Sequence, residues 1–158
     1  MRRFDLSVSV YDYAKKLAMN RASQKEKYSS SNPMSPNYEL VGLLGEFIYG
    51  AITGEVADLR LRADGDDGID FSRKRVQVKS SEEHKARHLI EYKEKVLDFD
   101  YYVFVIINLE RLDGFIRGWI STEDFIKKRR VINFGYGDRW AIDLDEMNPW
   151  GKESNKRQ

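Results

Sequence analysis

The stretch DGDDGIDFSRKRVQVKSS, residues 64–81, sets four aspartates and two glycines ahead of a basic turn and a short alternating segment that carries a lysine. In an extended strand, residues two apart share a face, so Gln77 and Lys79 project to one side while Val76 and Val78 enter the core on the other. Asp70, on a strand expected to pair with theirs across a short turn, can lie beside them. Glu46 sits in the middle of an apolar helix, where a carboxylate is costly to bury without a partner. It either occupies an exposed stripe of that helix or completes the cluster. Two carboxylates and an amide oxygen make a hard-oxygen set suited to Mg²⁺, which takes few protein ligands and keeps several waters. A lysine beside such an ion orients or activates water and offsets charge developing on a phosphate.

Other constellations have two readings each. Asp64, Asp66 and Asp67 miss the spacing of a calcium loop and read as an Asp/Gly turn, with Asp67 a reserve ligand. His84 and His88 are four apart but lack the H-E-x-x-H pattern of helical zinc sites, so they read as surface residues or as a phosphate contact. Phe134, Tyr136, Arg139 and Trp140 either stack on bases or pack the core. The basic clusters Arg73, Lys74, Arg75 and Lys127, Lys128, Arg129, Arg130 are phosphate contacts or solvated faces.

The elements that must position these groups follow from periodicity and stop signals. A helix is predicted over 10–21, followed by a polar loop through residue 37 with a serine run and two prolines. Leu40, Leu43, Leu44, Phe47 and Ile48 recur at helical spacing and Gly54 supplies a stop, so a buried helix spans 38–54. Residues 55–62 read as a strand, Ile69 to Phe71 as a second and Val76 to Lys79 as its hairpin partner across the Ser72 to Arg75 turn. Residues 82–97 are expected to form a charged helix capped by Ser80 or Ser81, with Leu89, Ile90, Tyr92 and Val96 facing in. The apolar run Tyr101 to Asn108 is a central strand covered on both faces. A strand over 115–120, a short helix from Thr122 to Arg130 capped by Ser121 or Thr122 and a last strand over 139–144 complete the chain, with 151–158 frayed.

At 158 residues the chain is the length of one ordinary domain. The expected division is an N-terminal helix and polar loop (1–37), a core (38–108), an extension of that core (109–150) and a tail (151–158). Net charge is +1, from 27 basic and 26 acidic residues, so any nucleic-acid surface must be local rather than global. No apolar run approaches the ~20 residues of a membrane span, and no signal-peptide core opens the sequence. Without cysteine, disulfides and thiolate metal sites are excluded. A cytoplasmic setting without membrane contact is expected.

GLLGEFIYG, GDDGIDF and VQVKSS in succession resemble the three motifs of the PD-(D/E)xK nuclease superfamily, in the subgroup with a glutamate on the first core helix and Q-x-K on the third strand. The resemblance covers roughly residues 38–108. It implies a restriction-endonuclease-like α/β fold with an α-β-β-β-α-β core, a central mixed sheet flanked by helices, an extra N-terminal helix and C-terminal strands. It implies that Glu46 and Asp70 are metal ligands, that Gln77 stands in the second acidic position, that the Val78 carbonyl faces the metal and that Lys79 is the catalytic lysine. Ile69 stands where the motif has proline, and Gln77 replaces a carboxylate. The implied activity is Mg²⁺-dependent endonucleolytic hydrolysis of DNA, with Mn²⁺ able to substitute, by a site-specific cutter of restriction or homing type. A structure-selective Holliday-junction resolvase, a repair nuclease and a non-catalytic nucleic-acid-binding module are the alternatives. Cutting two strands calls for a homodimer or higher homo-oligomer.

Overall fold

The computed structural model describes residues 2–27, 37–55 and 75–151, with the backbone alone for 21–27. Its elements in chain order are β1 (Phe4–Asp5), α1 (Val8–Lys27), α2 (Tyr38–Thr53), β2 (Val76–Glu82), β3 (His88–Tyr92), β4 (Tyr101–Asn108), β5 (Asp113–Ser121), α3 (Thr122–Lys128), β6 (Arg130–Asn133), β7 (Asp138–Asp143), a 3₁₀ turn (Leu144–Glu146) and β8 (Asn148–Pro149). The architecture is mixed α/β. One sheet has the order β1-β5-β4-β2, with β8 also on β5; a second has the order β3-β7-β6. β2 runs parallel to β4, and the other pairs are antiparallel. The strands expected over 55–62 and 69–71 lie outside the described residues.

β4 is the spine that its apolar run predicts. Residues 102–107 are all buried, because the two faces of the strand meet two different cores. Val103, Val105 and Ile107 join Val76, Val78, Leu40, Leu43, Leu44 and Ile48 on the helix side. Tyr102, Phe104 and Ile106 join Leu89, Phe125 and Ile142 on the side of the second sheet. A strand covered on both faces has no reason to alternate polar residues.

Local signals set the helix ends. Ser7 Oγ accepts from the Val10 N–H at 3.2 Å at the start of α1. α1 outruns its expected end by six residues, since Arg, Ala, Gln, Lys and Glu of 21–27 are good helix formers although they form no apolar stripe. α2 ends at Gly54, whose φ of 78° is left-handed and whose N–H donates to the Gly50 carbonyl. Ser121 Oγ accepts from Asp124 N–H and caps α3.

The helix expected over 82–97 does not form. β2 continues to Glu82, residues 83–85 turn, and His88–Tyr92 pairs with Arg139–Asp143 instead. Leu89 and Glu91 point inward and are 0% and 1% exposed, whereas Tyr92 is 39% and Val96 79% exposed. That is the two-residue period of a strand, with a carboxylate in a core position. Ser80 caps no helix: its hydroxyl donates to the Val41 carbonyl at 2.9 Å. β6, which pairs with β7, has no counterpart in the sequence reading, as its burial pattern leaves only Ile132 partly covered.

Candidate functional site

Gln77 and Lys79 emerge on one face of β2, as the alternation requires. Their partners across the parallel ladder are Tyr102 and Phe104, so both side chains point toward the second sheet. There Lys79 Nζ lies 3.3 Å from Glu91 Oε2, with the glutamate side chain 0% and the lysine 21% exposed. Tyr102 donates its hydroxyl to Glu91 Oε1 at 2.9 Å, and the Tyr92 N–H donates to Oε2 at 3.1 Å. Lys95 Nζ is 3.9 Å from Oε1 and donates to Gln77 Oε1 at 3.4 Å. Burial first and the Glu91 charge second push the Tyr102 hydroxyl far above the ordinary phenol range, so it stays a donor. A buried carboxylate with two ammoniums and two further donors is well satisfied.

Glu91 and Lys95 are the members that sequence reasoning missed. Both fall within the charged helix expected over 82–97, away from the residues expected to face in. The available signal was the Leu89-x-Glu91 alternation beside a Lys79 that needed an anion.

Glu46 lies on α2, which is buried almost all round, and is itself 7% exposed. α2 packs on the opposite face of β2 from Gln77 and Lys79, against Val76 and Val78. Ser80 is the contact point. A methyl group at Gly45 would stand 2.6 Å from Ser80 Oγ and 2.7 Å from Ser80 Cβ, so the helix backbone needs glycine to come this close. Gly45→Ala therefore levers the helix that carries Glu46 away from β2. Overpacking of this kind costs about 1–3 kcal/mol, read as a lower denaturation midpoint in urea. An unchanged midpoint would mean that the two elements slide apart without penalty.

Asp70, Asp64, Asp66, Asp67, Arg73 and Lys74 lie outside the described residues. Among the described residues no group of three or more His, Asp or Glu side chains has metal-binding spacing. The oxygen donors expected to serve a Mg²⁺-type ion within them are the Glu46 carboxylate, the Val78 main-chain carbonyl and the Gln77 amide. These are of the hard type that Mg²⁺ takes. A cation on Gln77 Oε1 must first displace the Lys95 ammonium.

The described members of the basic clusters are engaged with the protein itself. Arg75, at a left-handed φ of 52°, pairs with Asp98 at 2.7 Å and its carbonyl accepts from the Asp100 N–H, which ties the start of β2 to that of β4. Lys127 pairs with Glu123, and Arg130 with Asp143 and Glu146. The Arg129 guanidinium lies 4.1 Å over the Trp140 ring, and Lys128 Nζ is 3.5 Å from the Glu146 carbonyl. His84 and His88 do not share a helix face: His84 is in a turn and His88, on β3, is 3.2 Å from Asp143.

No protein-family model matches the chain, and no curated protein matches it in sequence. No helix of the described residues is long and apolar enough to cross a membrane.

Proposed function

We propose that the chain is a Mg²⁺-dependent endonuclease of the restriction-endonuclease-like class that hydrolyses phosphodiester bonds in DNA. The observation that carries this reading is the side-by-side projection of Gln77 and Lys79 from β2 next to a buried acid, with the helix of Glu46 clamped on the same strand through Gly45 and Ser80. In this reading Glu46, Asp70 and the Val78 carbonyl hold the ion, which when bound supplies Lewis acidity to the phosphate and a lowered water pKa. Lys79 directs its ammonium at the attacking water or a phosphate oxygen, where negative charge grows in the transition state. Glu91 holds that ammonium in place from behind. Gln77, on the face of β2 away from α2, accepts from the Lys95 ammonium through its amide oxygen, so an ion held by Glu46 and Asp70 lacks a third carboxylate and binds more weakly than in a three-carboxylate version.

The deciding experiment incubates wild type and Asp70→Ala with supercoiled plasmid, a four-way junction and single-stranded DNA, in Mg²⁺, Mn²⁺ or EDTA. The expected result is cleavage by wild type in either metal, none in EDTA and none by Asp70→Ala at unchanged thermal stability. Full activity in Asp70→Ala ends the assignment. Preference for the junction turns the reading toward a resolvase, and binding without turnover turns it toward a non-catalytic module. Cleavage of both plasmid strands in one encounter would point to a homodimer acting with two sites.

A further inference from the structure

The two sheets and the start of α2 enclose a cleft of about 690 Å³ with Lys79 in its lining. That volume falls in the range of small-ligand sites, about 300–1,000 Å³, and suits a splayed-out nucleotide rather than a duplex. The wall from the second sheet is aromatic. Tyr92 ends β3, and Phe134 and Tyr136 belong to the β6–β7 turn, where Gly135 (φ 99°) and Gly137 (φ 110°) adopt left-handed backbone on either side of Tyr136. These glycines let the turn present that ring at its tip. Phe134 lies nearly parallel to Tyr136, at 21° and 6.2 Å between centroids.

Arg139 builds the shelf from beneath. It is 9% exposed, and its guanidinium lies 4.7 Å from the Tyr92 centroid and 5.3 Å from that of Tyr136. The two tyrosines nevertheless remain 39% and 42% exposed as residues. Core packing would bury them, whereas stacking surfaces for planar groups need this exposure. The charge of the lining is lopsided as well. Lys79, Lys85, Arg87 and Arg139 line it with one carboxylate, Glu82; Lys85 pairs with Glu82 at 3.0 Å and Lys79 with the buried Glu91 at 3.3 Å, which leaves Arg87 and Arg139 as the excess positive charge of the lining.

We propose that this cleft receives an unpaired base of a DNA strand, stacked on the Tyr92 and Tyr136 rings, with the adjoining phosphates drawn toward Arg87 and Lys79. A base inside a duplex hides both its faces, so the substrate segment must be single-stranded or locally opened. The inference rests on the nuclease reading and narrows its substrate to DNA with an accessible base.

The test is made on the full chain in EDTA, so that binding is measured without cleavage. Fluorescence anisotropy compares a labelled single strand with the same strand in a blunt duplex. A second single strand carries 2-aminopurine, whose emission is quenched by stacking. Wild type is expected to prefer the single strand and to quench 2-aminopurine. Tyr92→Leu and Tyr136→Leu should each weaken single-strand binding about ten-fold and relieve quenching, while Tyr92→Phe and Tyr136→Phe retain both. Equal affinity for both DNAs, no quenching by wild type, or leucine variants that bind as wild type would each overturn the proposal. Should a leucine variant fail to fold, quenching by the wild-type and phenylalanine proteins still decides. A chain that quenches but cleaves nothing in Mg²⁺ keeps this site and loses the hydrolytic reading; one that cleaves plasmid without quenching does the reverse.

Discussion

Lys79→Met is expected to lower the single-turnover rate of DNA cleavage by ~10²-fold or more, a typical loss when one such transition-state contact is removed. Methionine keeps much of the apolar stem and deletes only the ammonium. Glu91 retains Lys95, Tyr102 and the Tyr92 N–H as partners, so its carboxylate is not stranded. Folding should therefore change little, and DNA affinity should fall only by the loss of one phosphate contact. Lys79→Arg should not restore the rate, because a planar, permanently charged fork does not fit where a compact ammonium points. Saturating enzyme isolates the chemical step from binding. Near-wild-type rates in Lys79→Met would leave a DNA-binding domain, or one with a differently organised catalytic centre, as the better account.

Glu91→Ala should be the most destabilising of the site substitutions. It removes the acceptor of a buried tyrosine hydroxyl and the counter-ion of two ammoniums whose side chains are only 21% and 22% exposed. Leaving such groups unmatched costs at least about 2 kcal/mol, which for a domain of this length is a fall of roughly 4–8 °C in Tm. Glu91→Gln keeps an acceptor for Tyr102 and should lose less. The sharper check is a double variant. Glu91→Leu together with Lys79→Met leaves one fewer buried ion unpaired, so its loss should be smaller than the sum of the two single losses. Strict additivity in calorimetric Tm values would show that the 3.3 Å contact contributes no coupling, and Lys79 would then need another explanation for its orientation.

What the sequence discloses here depends on how local each cause is. α2 and α3 are legible because their stops and caps, Gly54 and Ser121, act within one turn of the chain. β4 is legible because burial on both faces writes an unbroken apolar run. The strand face of Gln77 and Lys79 is legible because a period of two needs no partner to be read. Residues 82–97 defeat the same reasoning. Their apolar residues fit helical spacing, and the glutamate and lysine among them look solvated. What makes Glu91 a core residue is Lys79 and Tyr102, contributed by two other strands. Such a cause is visible only after the chain has folded back on itself. The aromatic turn around Tyr136 has two readings in the sequence for a related reason: whether a ring beside an arginine is covered is decided by strands that pack on it from elsewhere in the chain.

The detour of β3 also sets an order of events in folding. β2 and β4 are parallel neighbours, and the chain between them leaves their sheet to place β3 in the other one. The only described strand that pairs with β3 is β7, which begins at Asp138, after β4, β5 and α3 have all been laid down. Contacts so distant along the chain reward the closure of their loop late, and such topologies fold slowly. On a ribosome, which delivers the N-terminal part first, the segment with Leu89 and Glu91 waits without its partner strand until β7 has emerged. The Lys79–Glu91 contact is thus assembled among the last. A chain truncated before β7 would present its lysine with no strand to hold the buried acid against it.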